Sequence, residues 1–179
     1  MIKETIIHDK KFQELLTQEV ISKRIDDLTQ EINRDFKGKD VVFLGILNGA
    51  FLFAAELFKR IDLKARISFV KLASYEGTKS SGSVKELIGW NEDIQNKDVI
   101  IVEDIVDTGN TLERIIGELE LRKVASISIA TLLFKPAAYT KTINIDYIGF
   151  EIPNDFVVGF GLDYDGYGRN LPSVYKLVH

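Results

Sequence analysis

The sequence predicts an α/β fold, a mainly parallel twisted sheet flanked by helices, and three observations predict it. Near-continuous apolar runs such as Val41 to Leu47 and Val99 to Val102 have the composition of strands buried on both faces. Other stretches carry apolar residues at three- and four-residue steps, the period of an amphipathic helix. The two kinds alternate along the chain, as they do where helices cover both faces of a parallel sheet.

Phe12, Leu15, Leu16, Val20, Ile21, Ile25, Leu28 and Ile32 predict a helix from Phe12 to Ile32, with Gly38 as a stop. The strand Val41 to Leu47 follows, then a helix over Ala50 to Arg60 and a strand over Ile67 to Leu72. From Ser74 to Lys97 the apolar period is lost, and the small polar residues up to about 89 predict a long flexible loop. Val99 to Val102 is the next strand, followed by Glu103, Asp104 and a loop, and a helix from Thr111 to Leu121. Val124 to Phe134, Ile143 to Phe150 and Phe156 to Leu162 complete the strands. No repeat or linker divides the chain, so one domain over 1–179 is expected.

A net charge of −4 and a pI near 5.3 provide no basic excess to neutralise a phosphate backbone, which argues against nucleic acid as a partner. No cysteine is present, excluding disulfides, thiolate metal sites and thiol nucleophiles. Met1 to Lys11 lacks the apolar core of a signal peptide, and no stretch is long enough to span a membrane; the expectation is a soluble, cytoplasmic protein.

Chemistry is expected where strands end, because open α/β sheets bind ligands beyond the carboxyl ends of their strands. After Val99 to Val102 come Glu103, Asp104, Ile105, Val106, Asp107, Thr108, Gly109, Asn110 and Thr111, opening a helix. Consecutive N–H groups at a glycine turn, with hydroxyls from Thr108 and Thr111, make a phosphate site. No Gly-Lys-Ser/Thr ending follows, which disfavours a nucleoside triphosphate clamp. Carboxylates beside a phosphate suit sugar hydroxyls or a magnesium ion. The bland alternative is helix capping by Asp, Thr and Asn, which leaves the adjacent Glu103 and Asp104 unexplained.

This segment resembles the phosphoribosyl pyrophosphate signature of the type I phosphoribosyltransferases, and the resemblance covers nearly the whole chain. Leu47-Asn48-Gly49-Ala50 resembles the family's pyrophosphate loop, in which one peptide bond is often cis; lysine is commoner where Asn48 stands, leaving backbone amides as the donors. Leu72-Ala73-Ser74-Tyr75 resembles its flexible loop, with Ser74 and Tyr75 as the closing pair. Lys135, and the segment from Gly149 to Tyr164, are similar to the hypoxanthine/guanine branch.

That resemblance implies a small hood formed by the N- and C-terminal segments, and transfer of a phosphoribosyl group from phosphoribosyl pyrophosphate to N9 of hypoxanthine or guanine. It implies that Lys135 reads the purine 6-oxo group, Phe156 stacks on the base, the Val157 main chain meets its pyrimidine edge, and Arg169 contacts pyrophosphate. Asp163, Glu103 and Asp104 are the implied carboxylates for Mg2+, Asp163 also belongs to the implied purine-binding set, and Asp107 is the implied general base. A homo-oligomer, dimer or tetramer, is also implied. The alternatives are a phosphoribosyl pyrophosphate-sensing regulator on the same fold and a xanthine-preferring enzyme.

Overall fold

The computed structural model describes residues 3–72, 86–88 and 93–178. The predicted loop at 74–89, with Ser74 and Tyr75, lies outside them except for Glu86–Ile88, which form a short strand paired with Lys71 and Leu72 rather than loop. Two sheets are formed. The larger has the order β5(Glu86–Ile88), β4(Lys64–Leu72), β3(Asp40–Leu47), β6(Asp98–Val106), β7(Ser126–Phe134), β8(Tyr147–Glu151), parallel except for β5. The smaller is antiparallel, in the order β1(Glu4–Ile7), β2(Lys10–Leu16), β10(Val174–Leu177), β9(Val157–Val158), and is the expected hood.

Both sides of the larger sheet are covered. On β3, Val41 and Phe43 face α1(Gln18–Asp35) and α2(Phe51–Phe58), while Val42, Leu44 and Ile46 belong to the opposite cluster with Leu112, Ile115 and Leu119 of α3(Asn110–Leu121). All five strand residues are buried, which is why VVFLGIL reads as a continuous apolar run. Burying each such side chain contributes about 1.5–3 kcal/mol.

The first predicted helix is corrected. Lys10 to Leu16 is a strand, and the helix begins only after Thr17, whose hydroxyl accepts from the Val20 N–H. Apolar spacing runs unbroken through the boundary because β2 also buries residues: Phe12 sits in the hood core with Ile7, Val158 and Tyr175. Helix α1 then runs to Asp35, with Phe36 as its C-cap, rather than to Ile32, and Gly38 follows in a left-handed conformation.

Later boundaries also shift, and three of these shifts bear on the site. Strand β6 runs on through Glu103, Asp104 and Ile105 to Val106, because its partner β7 continues in register to Phe134. Residues 143–146 precede β8, and Asp146 meets β7 from just outside the strand, its N–H donating to the Ile129 carbonyl and its carboxylate accepting from the Ile129 N–H. Only Val157–Val158 of the last predicted strand is regular; the remainder turns through left-handed Gly159, Phe160 and Gly161.

Candidate active site

The Asp107–Thr111 turn lies at the carboxyl end of β6, where the topology predicts a ligand. Glu103, Asp107, Thr108, Gly109, Asn110 and Thr111 line one small depression of about 80 Å³. Gly109 is the N-cap of α3 at φ +85°, a conformation natural to glycine, and no side chain caps the helix. The capping alternative therefore does not describe this turn, and its N–H groups and hydroxyls are left to an anion.

A second turn converges on the first. The Leu47–Asn48 peptide bond is cis, and Gly49 lies so close to Asp104 that a Cβ there would fall 1.6 Å from Oδ2. A Cβ on Gly161 would fall 2.0 Å from the Gly49 carbonyl oxygen. Arg169 Nη1 donates to the Gly161 carbonyl at 2.7 Å, and Nη2 pairs with Asp163 Oδ1 at 2.6 Å. Asp163 Oδ2 also accepts from the Gly166 N–H at 2.7 Å. Asn48, Gly49, Asp104, Asp163 and Arg169 are thus gathered by two close backbone approaches and one ion pair.

The acidic pair is held under unfavourable conditions. Burial pushes the Glu103 carboxyl well above its ordinary range, and the Asp104 charge adds to the effect. Burial pushes Asp104 up to about 6, against a lowering hydrogen bond from the Ile105 N–H. Glu103 Oε2 is buried and has no hydrogen-bond partner among the described residues. Such groups are stabilised by a bound cation or by hydroxyl donors from a sugar.

Hard carboxylate oxygens suit Mg2+, but among the described residues no three acidic or histidine side chains converge to hold a metal. The donor set fits an ion that takes most of its ligands from phosphate oxygens and water, which is the usual arrangement for magnesium.

At the end of β7, Lys135 is buried and its Nζ donates to Asp107 Oδ2 at 3.2 Å. Phe156 keeps 46% of its surface exposed despite packing near Phe12 and Tyr164, so an aromatic face is open to a ligand. Val157 is buried in β9, an edge strand of the hood, and among the described residues one side of its main chain has no strand partner.

Three residues at the turn are absent from the sequence-based assignment. The ring of Tyr139 and the stem of Lys141 occupy the space where a Gly109 Cβ would project, and Thr140 Oγ1 donates to the Thr108 carbonyl at 3.1 Å. They follow β7 by five residues or more, and only the fold brings them to the turn.

Comparison with known proteins agrees with this geometry. Residues 12–165 match the phosphoribosyl transferase domain family. The chain is 43% identical over 172 residues to a hypoxanthine-guanine phosphoribosyltransferase of Staphylococcus aureus (strain Mu50 / ATCC 700699), covering 96% of each. A hypoxanthine phosphoribosyltransferase of Buchnera aphidicola subsp. Schizaphis graminum is 40% identical, with 92% and 94% covered. Among solved structures, a hypoxanthine phosphoribosyltransferase from Staphylococcus aureus superposes with a TM-score of 0.87 at 40% identity, covering 98% of each chain. A hypoxanthine-guanine phosphoribosyltransferase from Bacillus anthracis superposes at 0.86 with 33% identity and full coverage of both. The chain belongs to the hypoxanthine-guanine phosphoribosyltransferases of the type I phosphoribosyltransferase family.

Proposed function

We propose that this enzyme transfers the 5-phosphoribosyl group of phosphoribosyl pyrophosphate to N9 of hypoxanthine or guanine, giving IMP or GMP and pyrophosphate. The observation that carries the reading is the convergence of the uncapped Asp107–Thr111 turn, the buried Glu103 and Asp104, and the Asn48–Gly49 turn at one end of the sheet. That end offers an anion turn for the 5-phosphate, carboxylates for the ribose hydroxyls, and backbone donors with Arg169 for the diphosphate.

In the reaction the N9–C1 bond forms as the bond from C1 to the pyrophosphate oxygen breaks, and its electron pair leaves with pyrophosphate. Asp107 accepts the N7 proton of the base. Lys135 has three N–H donors and spends one on Asp107, which leaves donors for the purine 6-oxo group. Phe156 supplies the stacking face, and the edge main chain of Val157 reads the pyrimidine side. Mg2+, when bound, would neutralise the diphosphate charge, and Asp163, Glu103 and Asp104 are the carboxylates assigned to assist it on family resemblance. Ser74 and Tyr75 are assigned to closure over the site on sequence resemblance. A cytoplasmic setting belongs to the same reading; among the described residues no helix is long and apolar enough to cross a membrane. Self-association as a dimer or tetramer belongs to the same reading and rests on family membership.

Incubation with phosphoribosyl pyrophosphate, hypoxanthine and magnesium, followed by mass spectrometry, tests the proposal. IMP in equal amount to released pyrophosphate supports transfer. Tight binding of phosphoribosyl pyrophosphate without nucleotide formation would move the reading to a sensing regulator.

A further inference from the structure

We propose that Tyr139, Thr140 and Lys141 form a positioning clamp behind the phosphate turn, fixing its central peptide so that the Gly109 N–H is presented to the substrate's 5-phosphate. The inference rests on the transferase reading and adds residues whose part in it is indirect.

In a trans peptide the carbonyl of one residue and the N–H of the next point in opposite directions. The Thr108 carbonyl is held outward by two donors from one residue, the Thr140 N–H at 3.4 Å and the Thr140 hydroxyl at 3.1 Å. The Gly109 N–H is thereby aimed the other way, into the depression lined by Asp107, Thr108, Asn110 and Thr111. Among the described residues no group accepts from it. A free N–H at the positive end of a 12-residue helix is a donor prepared for an anion.

The other two residues hold the clamp shut. Tyr139 Cε2 would lie 2.5 Å from a Cβ on Gly109, and Lys141 Cγ 2.8 Å, so both side chains rest on the bare glycine backbone. Tyr139 is anchored by its hydroxyl to the Ile143 carbonyl at 2.7 Å and by an edge-on contact with Phe134. Lys141 Nζ pairs with Glu113 Oε2 at 2.7 Å, tying the segment to the first turn of α3. With these contacts absent, the Thr108–Gly109 peptide could rotate, and ordering it would be charged against substrate binding.

The test compares Tyr139→Ala, Tyr139→Phe and Thr140→Val with the wild-type enzyme. Calorimetry measures phosphoribosyl pyrophosphate binding, and steady-state kinetics give separate KM values for it and for hypoxanthine. Tyr139→Ala is expected to weaken phosphoribosyl pyrophosphate binding about tenfold, and Thr140→Val about threefold. The hypoxanthine KM and the saturated kcat stay within about twofold, since the clamp touches neither the base nor the reacting bond. Tyr139→Phe keeps the ring on Gly109 and recovers most of the loss. Unchanged phosphoribosyl pyrophosphate binding in the variants, or equal shifts of both KM values, would overturn the clamp. Should Tyr139→Ala fail to fold, Thr140→Val decides, because Thr140 is exposed. Failure of the wild type itself to bind phosphoribosyl pyrophosphate would overturn the transferase reading and the clamp together, whereas wild-type binding with unaltered variants overturns the clamp alone.

Discussion

Lys135 Nζ donates to Asp107 Oδ2 across 3.2 Å, linking the residue assigned to the purine 6-oxo group with the residue assigned to its N7 proton. Lys135 is buried, whereas the Asp107 side chain is 47% exposed, so the pair sits at the boundary between core and cleft. A base bound between them would meet a fixed cation on one atom and an acceptor on another.

Replacing Asp107 by asparagine keeps an oxygen for Lys135 and removes the proton acceptor. Turnover is expected to fall at least about tenfold while both substrate KM values hold. Steady-state kinetics check this, and wild-type turnover in Asp107→Asn would remove the residue from its role.

Asp104 carries a stability prediction with a definite sign. Burial pushes its folded carboxyl up to about 6, from an ordinary value of 3.8. The folded protein therefore holds a proton that the unfolded chain has lost between those values, and stability falls as pH rises through that window. Above pH 6 the ionised carboxylate costs about 1–3 kcal/mol. Asp104→Asn should raise Tm at pH 7.5 more than at pH 4, and should lower transferase activity if the carboxylate serves the ligand as proposed. Paired thermal melts at the two pH values check it; an equal or lower Tm at pH 7.5 would contradict the assignment.

Gly161 sits at φ +103° against the Gly49 carbonyl. Gly161→Ala should destabilise the protein by about 1–3 kcal/mol and displace the Asn48–Gly49 turn. The kinetic signature is a raised phosphoribosyl pyrophosphate KM with the hypoxanthine KM less affected, measured alongside Tm.

Phe156 is half exposed, so its truncation removes little from the core. Phe156→Ala should raise the purine KM about tenfold, in line with about 1–3 kcal/mol for stacking of a base on an aromatic ring, and should leave Tm nearly unchanged. Comparable losses for purine and phosphoribosyl pyrophosphate would argue against stacking.

The sequence showed the larger sheet clearly and the hood poorly, for a physical reason. Strands β3 and β6 bury both faces and read as unbroken apolar runs, whereas β2 buries Phe12 beside exposed Lys11 and continues into a helix of similar spacing. Only the Thr17 cap marks that junction. At the site, Glu103 to Thr111 were legible because they are contiguous. The Asp107–Lys135 pair spans 28 positions, and the contacts of Tyr139 and Thr140 with the turn span about 30, so neither leaves a local pattern. Gly161 shows only as one glycine among several until Gly49 is seen against it.

The central claim is a magnesium-dependent transfer to a 6-oxopurine. Its most direct test is pyrophosphate release from phosphoribosyl pyrophosphate, with hypoxanthine, guanine, xanthine, adenine and orotate offered in separate reactions and chelated controls beside each. Turnover confined to 6-oxopurines and lost on chelation is the predicted result. Turnover with adenine or orotate, or equal rates without metal, would contradict the account.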